Sequence, residues 1–92
     1  MNKSELIEQV GELTGMDRRQ AGRAVEAVLG TIRGALVLGD KVSLVGFGSF
    51  ETRVRPARTG RNPRTGEPVS VKSSTSVRFT VSPALKKELN NG

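Results

Sequence analysis

The stretch SFETRVRPARTGRNPRTGEPVSVKSSTSVRFTV, residues 49–81, starts and finishes as a β-strand and is something else in between. Phe50, Thr52 and Val54 fall on one face of an extended chain, and Glu51, Arg53 and Arg55 fall on the other. Near its end, Val77, Phe79 and Val81 share a face while Ser76, Arg78 and Thr80 take the opposite one. VSVK at 69–72 also alternates. TGRNPRTG, residues 59–66, holds two glycines, a proline and two arginines, and no side chain that would help to fill a core. If the flanking strands pair, this octapeptide is the tip of a long hairpin. Apolar residues thin out beyond Val54, so the outer hairpin should project into solvent as an arm, mobile until something binds it.

Upstream, the period changes from two to 3.6. Asn2 with Glu5 three places on is a capping-box pattern, and Leu6, Ile7, Val10 and Leu13 then repeat at helical spacing. Gly15 ends that helix. Asp17 with Gln20 is a second start signal, followed by Ala21, Val25, Val28, Leu29, Ile32 and Leu36 on one face, with Gly39 beyond the end. Gly22, Gly30 and Gly34 lie inside this second helix, where each costs about 1 kcal/mol relative to alanine. They mark either close helix approach at a subunit interface or tolerated surface positions. KVSLV at 41–45 alternates as a strand and GFG at 46–48 reads as a tight turn. Downstream, Ser82 is an N-cap and Pro83 suits the first helical position of a short last helix, PALKKELN. The fold class expected is α+β: an N-terminal helical hairpin, a three-stranded antiparallel sheet with a long β-hairpin arm, and a short C-terminal helix.

The charge has a matching layout. The net charge is +6 over 92 residues, yet residues 1–50 carry six basic and six acidic side chains and are neutral. Residues 51–92 carry nine basic and three acidic ones, and residues 53–72 alone hold five arginines and one lysine against Glu67. Such asymmetry points to an anionic partner, nucleic acid first and an anionic membrane surface second. Arginine suits phosphate because its planar fork makes paired hydrogen bonds and never loses its charge. The plain alternative is an exposed hairpin that happens to be basic.

Catalysis is poorly supported. The chain has no histidine and no cysteine, which removes the commonest acid–base group, the commonest thiol nucleophile, disulfides and the usual zinc ligands. Glu5, Glu8 and Glu12 read as the solvent face of the first helix, and GFGSF lacks the lysine and spacing of a phosphate-cradling loop. No enzyme activity, metal or cofactor is expected. With the arm outside the core, roughly 70 residues remain to bury apolar surface, a marginal number for one domain. Oligomerisation is the remaining common remedy, so a dimer is expected. The start MNKSELIEQV lacks the apolar segment of a secretion signal, and no apolar run approaches membrane-spanning length, so the reading is cytoplasmic with no membrane role.

At the tip, Arg61-Asn62-Pro63-Arg64 has two readings. Proline and asparagine between glycines are ordinary turn residues. Proline is also a compact apolar wedge of the kind minor-groove binders push between base steps, with neighbouring arginines entering the groove.

VGFGSFETRVRPARTGRNPRTGE, residues 45–67, resembles the signature of the bacterial HU and IHF family of histone-like DNA-bending proteins, and is closer to HU. The match runs through Gly46-Phe47-Gly48, Phe50, Arg55, Arg58, Gly60, the Arg61-Asn62-Pro63 tip and Thr65. MNKSELIEQV, GDKVSLVGFGSF and ALKKEL extend the resemblance over almost the whole chain. It implies one domain in an intertwined dimer. Residues 1–38 form the helical dimerisation part, 39–52 and 76–82 the saddle strands, 53–75 the DNA-binding arm and 83–92 the C-terminal helix.

The resemblance also implies roles. Pro63 intercalates from the minor groove, and Arg53, Arg55, Arg58 and Arg61 contact phosphates or the groove. Asn62, Arg64, Lys72, Arg78, Lys86 and Lys3 complete the expected DNA-binding set. Phe47, Phe50 and Phe79, with Leu29, Ile32, Leu36 and Leu44, form the expected dimer core. The chain departs from the family pattern at Val77, where proline is common, and at Pro83 and Glu67, where lysine is common. The last two remove positive charge that Arg64 offsets. The implied function is nucleoid-associated binding and bending of double-stranded DNA with little sequence specificity, favouring bent, nicked or flexible duplex. Site-specific bending of the IHF type is the alternative. RNA as a ligand, a paralogous partner subunit in place of an identical one, and docking of an acidic protein stay open.

Overall fold

The computed structural model describes residues 1–91. In chain order the elements are α1 (Lys3–Thr14), α2 (Arg18–Val37), β1 (Val42–Leu44), β2 (Gly48–Arg55), β3 (Arg58–Arg61), β4 (Pro68–Val71), β5 (Ser74–Val81) and α3 (Pro83–Asn90). The expected last helix over 83–92 thus ends at Asn90, and Gly92 lies outside the described residues.

The helix limits follow from local hydrogen bonds. Asn2 Oδ1 accepts from the Glu5 N–H at 2.8 Å, which satisfies one of the free donors at the start of α1. Gly15 closes α1 at φ 74, a left-handed position that glycine enters without steric cost. At the start of α2 both halves of a capping box form: Gln20 N–H donates to Asp17 Oδ1 at 2.8 Å, and Asp17 N–H donates to Gln20 Oε1 at 3.2 Å. Ser82 Oγ accepts from the Leu85 N–H at 3.1 Å, with Pro83 in the first turn of α3.

The sheet has the order β1-β2-β5, antiparallel throughout. Phe50 pairs with both Val42 and Phe79, and Thr52 pairs with Val77, so the apolar positions of three strands share one face. Phe79 stacks in tilted geometry on Phe47 and Phe50, at centroid distances of 5.5 and 4.9 Å. Gly48 permits this: a Cβ there would sit 2.6 Å from the Phe79 ring and from the Thr80 carbonyl oxygen.

The hairpin that the alternation suggests is two ladders rather than one. Eight residue pairs join β2 to β5, ending at Arg55 with Ser74. Four pairs join β3 to β4 in a separate two-stranded sheet, starting at Arg58 with Val71. Pro56-Ala57 and Lys72-Ser73 lie unpaired between them. Pro56 has no N–H to give to a ladder, which accounts for the break on its strand.

The interior is nearly empty. Among the described residues only Ala21 and Val25 are buried apolar side chains. An open apolar groove runs between α2 and β1, lined by Ala27, Val28, Ile32, Val42 and Leu44. A second lies on the other flank of α2, against Leu29, Leu36, Thr52 and Val77. Phe47 and Phe79 stay 47% and 43% exposed. Of the three glycines inside α2, Gly22 lies beside Ile7, while Gly30 and Gly34 have nothing within 4 Å of an added Cβ. The radius of gyration is 19.3 Å, whereas a compact chain of this length has about 12 Å. The principal extents of 61 × 34 × 26 Å describe an elongated body.

Candidate nucleic-acid interface

The face of the sheet opposite the phenylalanines carries the charge. Cross-strand pairing sets Glu51 beside Arg78, Arg53 beside Ser76 and Arg55 beside Ser74 on that face. Side chains two apart on a strand are about 6.6 Å apart and point the same way, so Arg53 and Arg55 form a row. Past the unpaired joint, Arg58 pairs with Val71 and Arg61 with Pro68 in the arm. Arg53, Arg55, Arg58, Arg61, Arg64, Lys72 and Arg78 are all exposed.

Among the described residues the one ion pair is between Lys3 and Glu26, on the helical base. No described carboxylate lies within 4 Å of an arm guanidinium. The row is therefore a set of like charges held apart by the sheet and neutralised only by solvent ions. A polyanion laid along it would release its own counterions. Lys3 is the one member of the expected DNA-binding set already engaged in an ion pair within the chain. Lys86 is exposed on α3.

The tip is a compact turn. The Asn62 N–H donates to the Glu67 carbonyl at 2.8 Å, and the Gly66 N–H donates to the Asn62 carbonyl at 2.7 Å. Asn62 Oδ1 accepts from the Arg64 N–H at 2.9 Å, and Thr65 Oγ1 from the Glu67 N–H at 3.3 Å. Gly66, at φ 75, turns the chain back into β4. Pro63 is exposed at the outer end, between the half-buried Asn62 and the exposed Arg64.

Alternation and charge layout assign the basic residues of the arm to one hairpin, and the structure places them there. Neither signals the joint at Pro56 and Lys72, nor the backbone partner of the Asn62 side chain. The Asn-Pro dipeptide is the available signal for the second, since it favours turn initiation. The expected core residues divide between the grooves: Leu44 and Ile32 line the one beside β1, and Leu29, Ile32 and Leu36 line the other. No group of acidic residues among the described residues could hold a metal ion. No described helix is long and apolar enough to cross a membrane.

A family model described as bacterial DNA-binding protein matches residues 1–90. The chain is 46% identical over 90 residues to the DNA-binding protein HU-beta of Pseudomonas aeruginosa, covering 98% of this chain and 100% of that protein. It is 50% identical over 86 residues to the DNA-binding protein HU of Geobacillus stearothermophilus, covering 94% and 96%. Among solved structures, the Anabaena HU–DNA cocrystal structure superposes with a TM-score of 0.83 at 40% identity, over all of both chains. HU from Thermotoga maritima gives 0.65 at 31% identity, over 97% of this chain and 98% of that one.

Proposed function

We propose that this chain, which belongs to the bacterial DNA-binding protein family, is a histone-like architectural protein and not an enzyme. It binds double-stranded DNA with little sequence specificity and bends it, as a nucleoid-associated protein of the bacterial cytoplasm. The observation that carries the reading is the set of basic side chains on the sheet and the arm, none ion-paired among the described residues, beside a helical base of no net charge. Phosphate neutralisation supplies most of the affinity in such an arrangement. The relatives named above carry the HU name, so site-specific bending of the IHF type is not favoured.

Two copies of the chain form the working unit. The open grooves beside α2 and the half-exposed Phe47 and Phe79 support this, because a second α2 and a second phenylalanine cluster would close them. The pair then presents two arms, each with Arg53, Arg55, Arg58 and Arg61 towards phosphates or the minor groove. Pro63 enters a base step from each arm, at a cost of a few kcal/mol in unstacking that the wider protein contact offsets. Nicked or pre-bent duplex binds more tightly because less deformation is needed.

A gel-shift titration on intact, nicked and single-stranded DNA and on duplex RNA tests this, repeated across salt concentrations. The expected order is nicked above intact DNA, with single strands weakest and affinity falling linearly in log–log form with salt. Equal binding to single strands, or affinity indifferent to salt, would remove the reading. Tighter binding to duplex RNA than to intact DNA would redirect it to RNA. Mass measurement of the native complex distinguishes two identical subunits from one copy paired with a paralogue.

A further inference from the structure

We propose that Asn62 is a positioning residue for Pro63, acting through the backbone of the turn rather than by touching DNA. The proposal rests on the reading of Pro63 as the intercalating wedge.

Asn62 is half-buried in an arm tip whose neighbours are exposed. Three hydrogen bonds converge on it, through its N–H, its carbonyl and its side-chain oxygen. Residues 62–67 contain five backbone N–H groups, since proline has none. Four of the five, those of Asn62, Arg64, Gly66 and Glu67, are satisfied within the tip. The Asn62 Oδ1 bond spans the proline, so it fixes the peptide units on both sides of the ring.

Proline locks its own φ but leaves ψ free. Holding the Arg64 N–H against Asn62 Oδ1 fixes that remaining angle and keeps the ring outermost. A wedge that is ordered before it meets DNA loses less conformational freedom on entering a base step. An asparagine side chain folded onto the backbone two residues on is poorly placed to read a base edge as well.

The experiment compares the full-length protein with Asn62→Ala, Asn62→Asp and Pro63→Ala. Aspartate keeps an acceptor oxygen at the same position, removes the amide donor and adds one negative charge. Amide exchange of the Arg64 N–H is read by NMR in the free protein. Bending is read at saturating protein from fluorescence transfer between the ends of a nicked duplex. Thermal melting checks that the fold is intact.

With Asn62→Ala, exchange at Arg64 rises about three- to tenfold, the range one net hydrogen bond carries. The saturating bend falls towards that of Pro63→Ala. Asn62→Asp keeps Arg64 protected and recovers the bend, at higher protein concentration because its charge meets phosphates. A full bend with Asn62→Ala and a reduced one with Pro63→Ala overturns the positioning role alone. Full bends with both overturn the wedge and the positioning role together. A protected Arg64 with an Ala-like bend in Asn62→Asp also overturns the proposal, because the amide would then be touching DNA directly.

Discussion

In the proposed function Pro63 and the arginines beside it do different work, and substitution separates them. Pro63→Ala removes the ring but no charge, so it should reduce bending in a fluorescence-transfer assay while the salt slope of binding stays the same. Arg58→Ala or Arg61→Ala removes a charge and no wedge. Each should lower the magnitude of the slope of log K against log salt by about 0.9 for every phosphate that is no longer neutralised. Gly48 is the residue where the smallest change does the most harm to the sheet. An added methyl meets both an aromatic ring and a carbonyl at 2.6 Å, and the carbonyl belongs to a paired strand that cannot retreat. Gly48→Ala should destabilise the protein by about 1–3 kcal/mol, the usual range for overpacking, measured by denaturant unfolding. The cost shows as unfolding at lower denaturant, not as a loss of basic charge.

Helix ends and strand faces are legible in the sequence because they are local. Asn2, Asp17 and Ser82 each cap a helix through a bond to a residue three places on, and that spacing is visible in one dimension. Asp17→Ala breaks the capping box of α2 and should lower stability by about 1 kcal/mol in the same unfolding measurement. The pairing of Phe50 with Phe79 follows from two alternating runs with a core face each. The joint does not. Pro56 signals a break on one strand, but nothing in Lys72-Ser73 marks the matching break on the other, and the two separate ladders are revealed by the positions of the paired residues. The Asn62 bond is hidden for a related reason. An asparagine next to proline signals a turn, but whether its side chain points outward or folds onto the backbone depends on the closed geometry of the tip. The glycines of α2 are legible as an anomaly and not as an answer, since Gly30 and Gly34 border open space in one copy of the chain.

As a whole the molecule is a long, thin body with two buried apolar side chains among the described residues and its net positive charge in residues 51–92. A chain of this size usually buries about 60% or more of its unfolded surface. Here the apolar faces of α2 and the sheet stay open, and in the proposed dimer a second copy covers them. Melting temperature should therefore rise with protein concentration, as mass action requires when only the folded dimer is stable. Calorimetric scans over a wide range of concentration measure this, and a constant melting temperature would show a self-sufficient monomer. The near-empty interior has a consequence for supply. If only the dimer folds, a scarce chain leaves unfolded polypeptide open to proteases and not single-armed binders of half the grip, and dilution then clears the duplex.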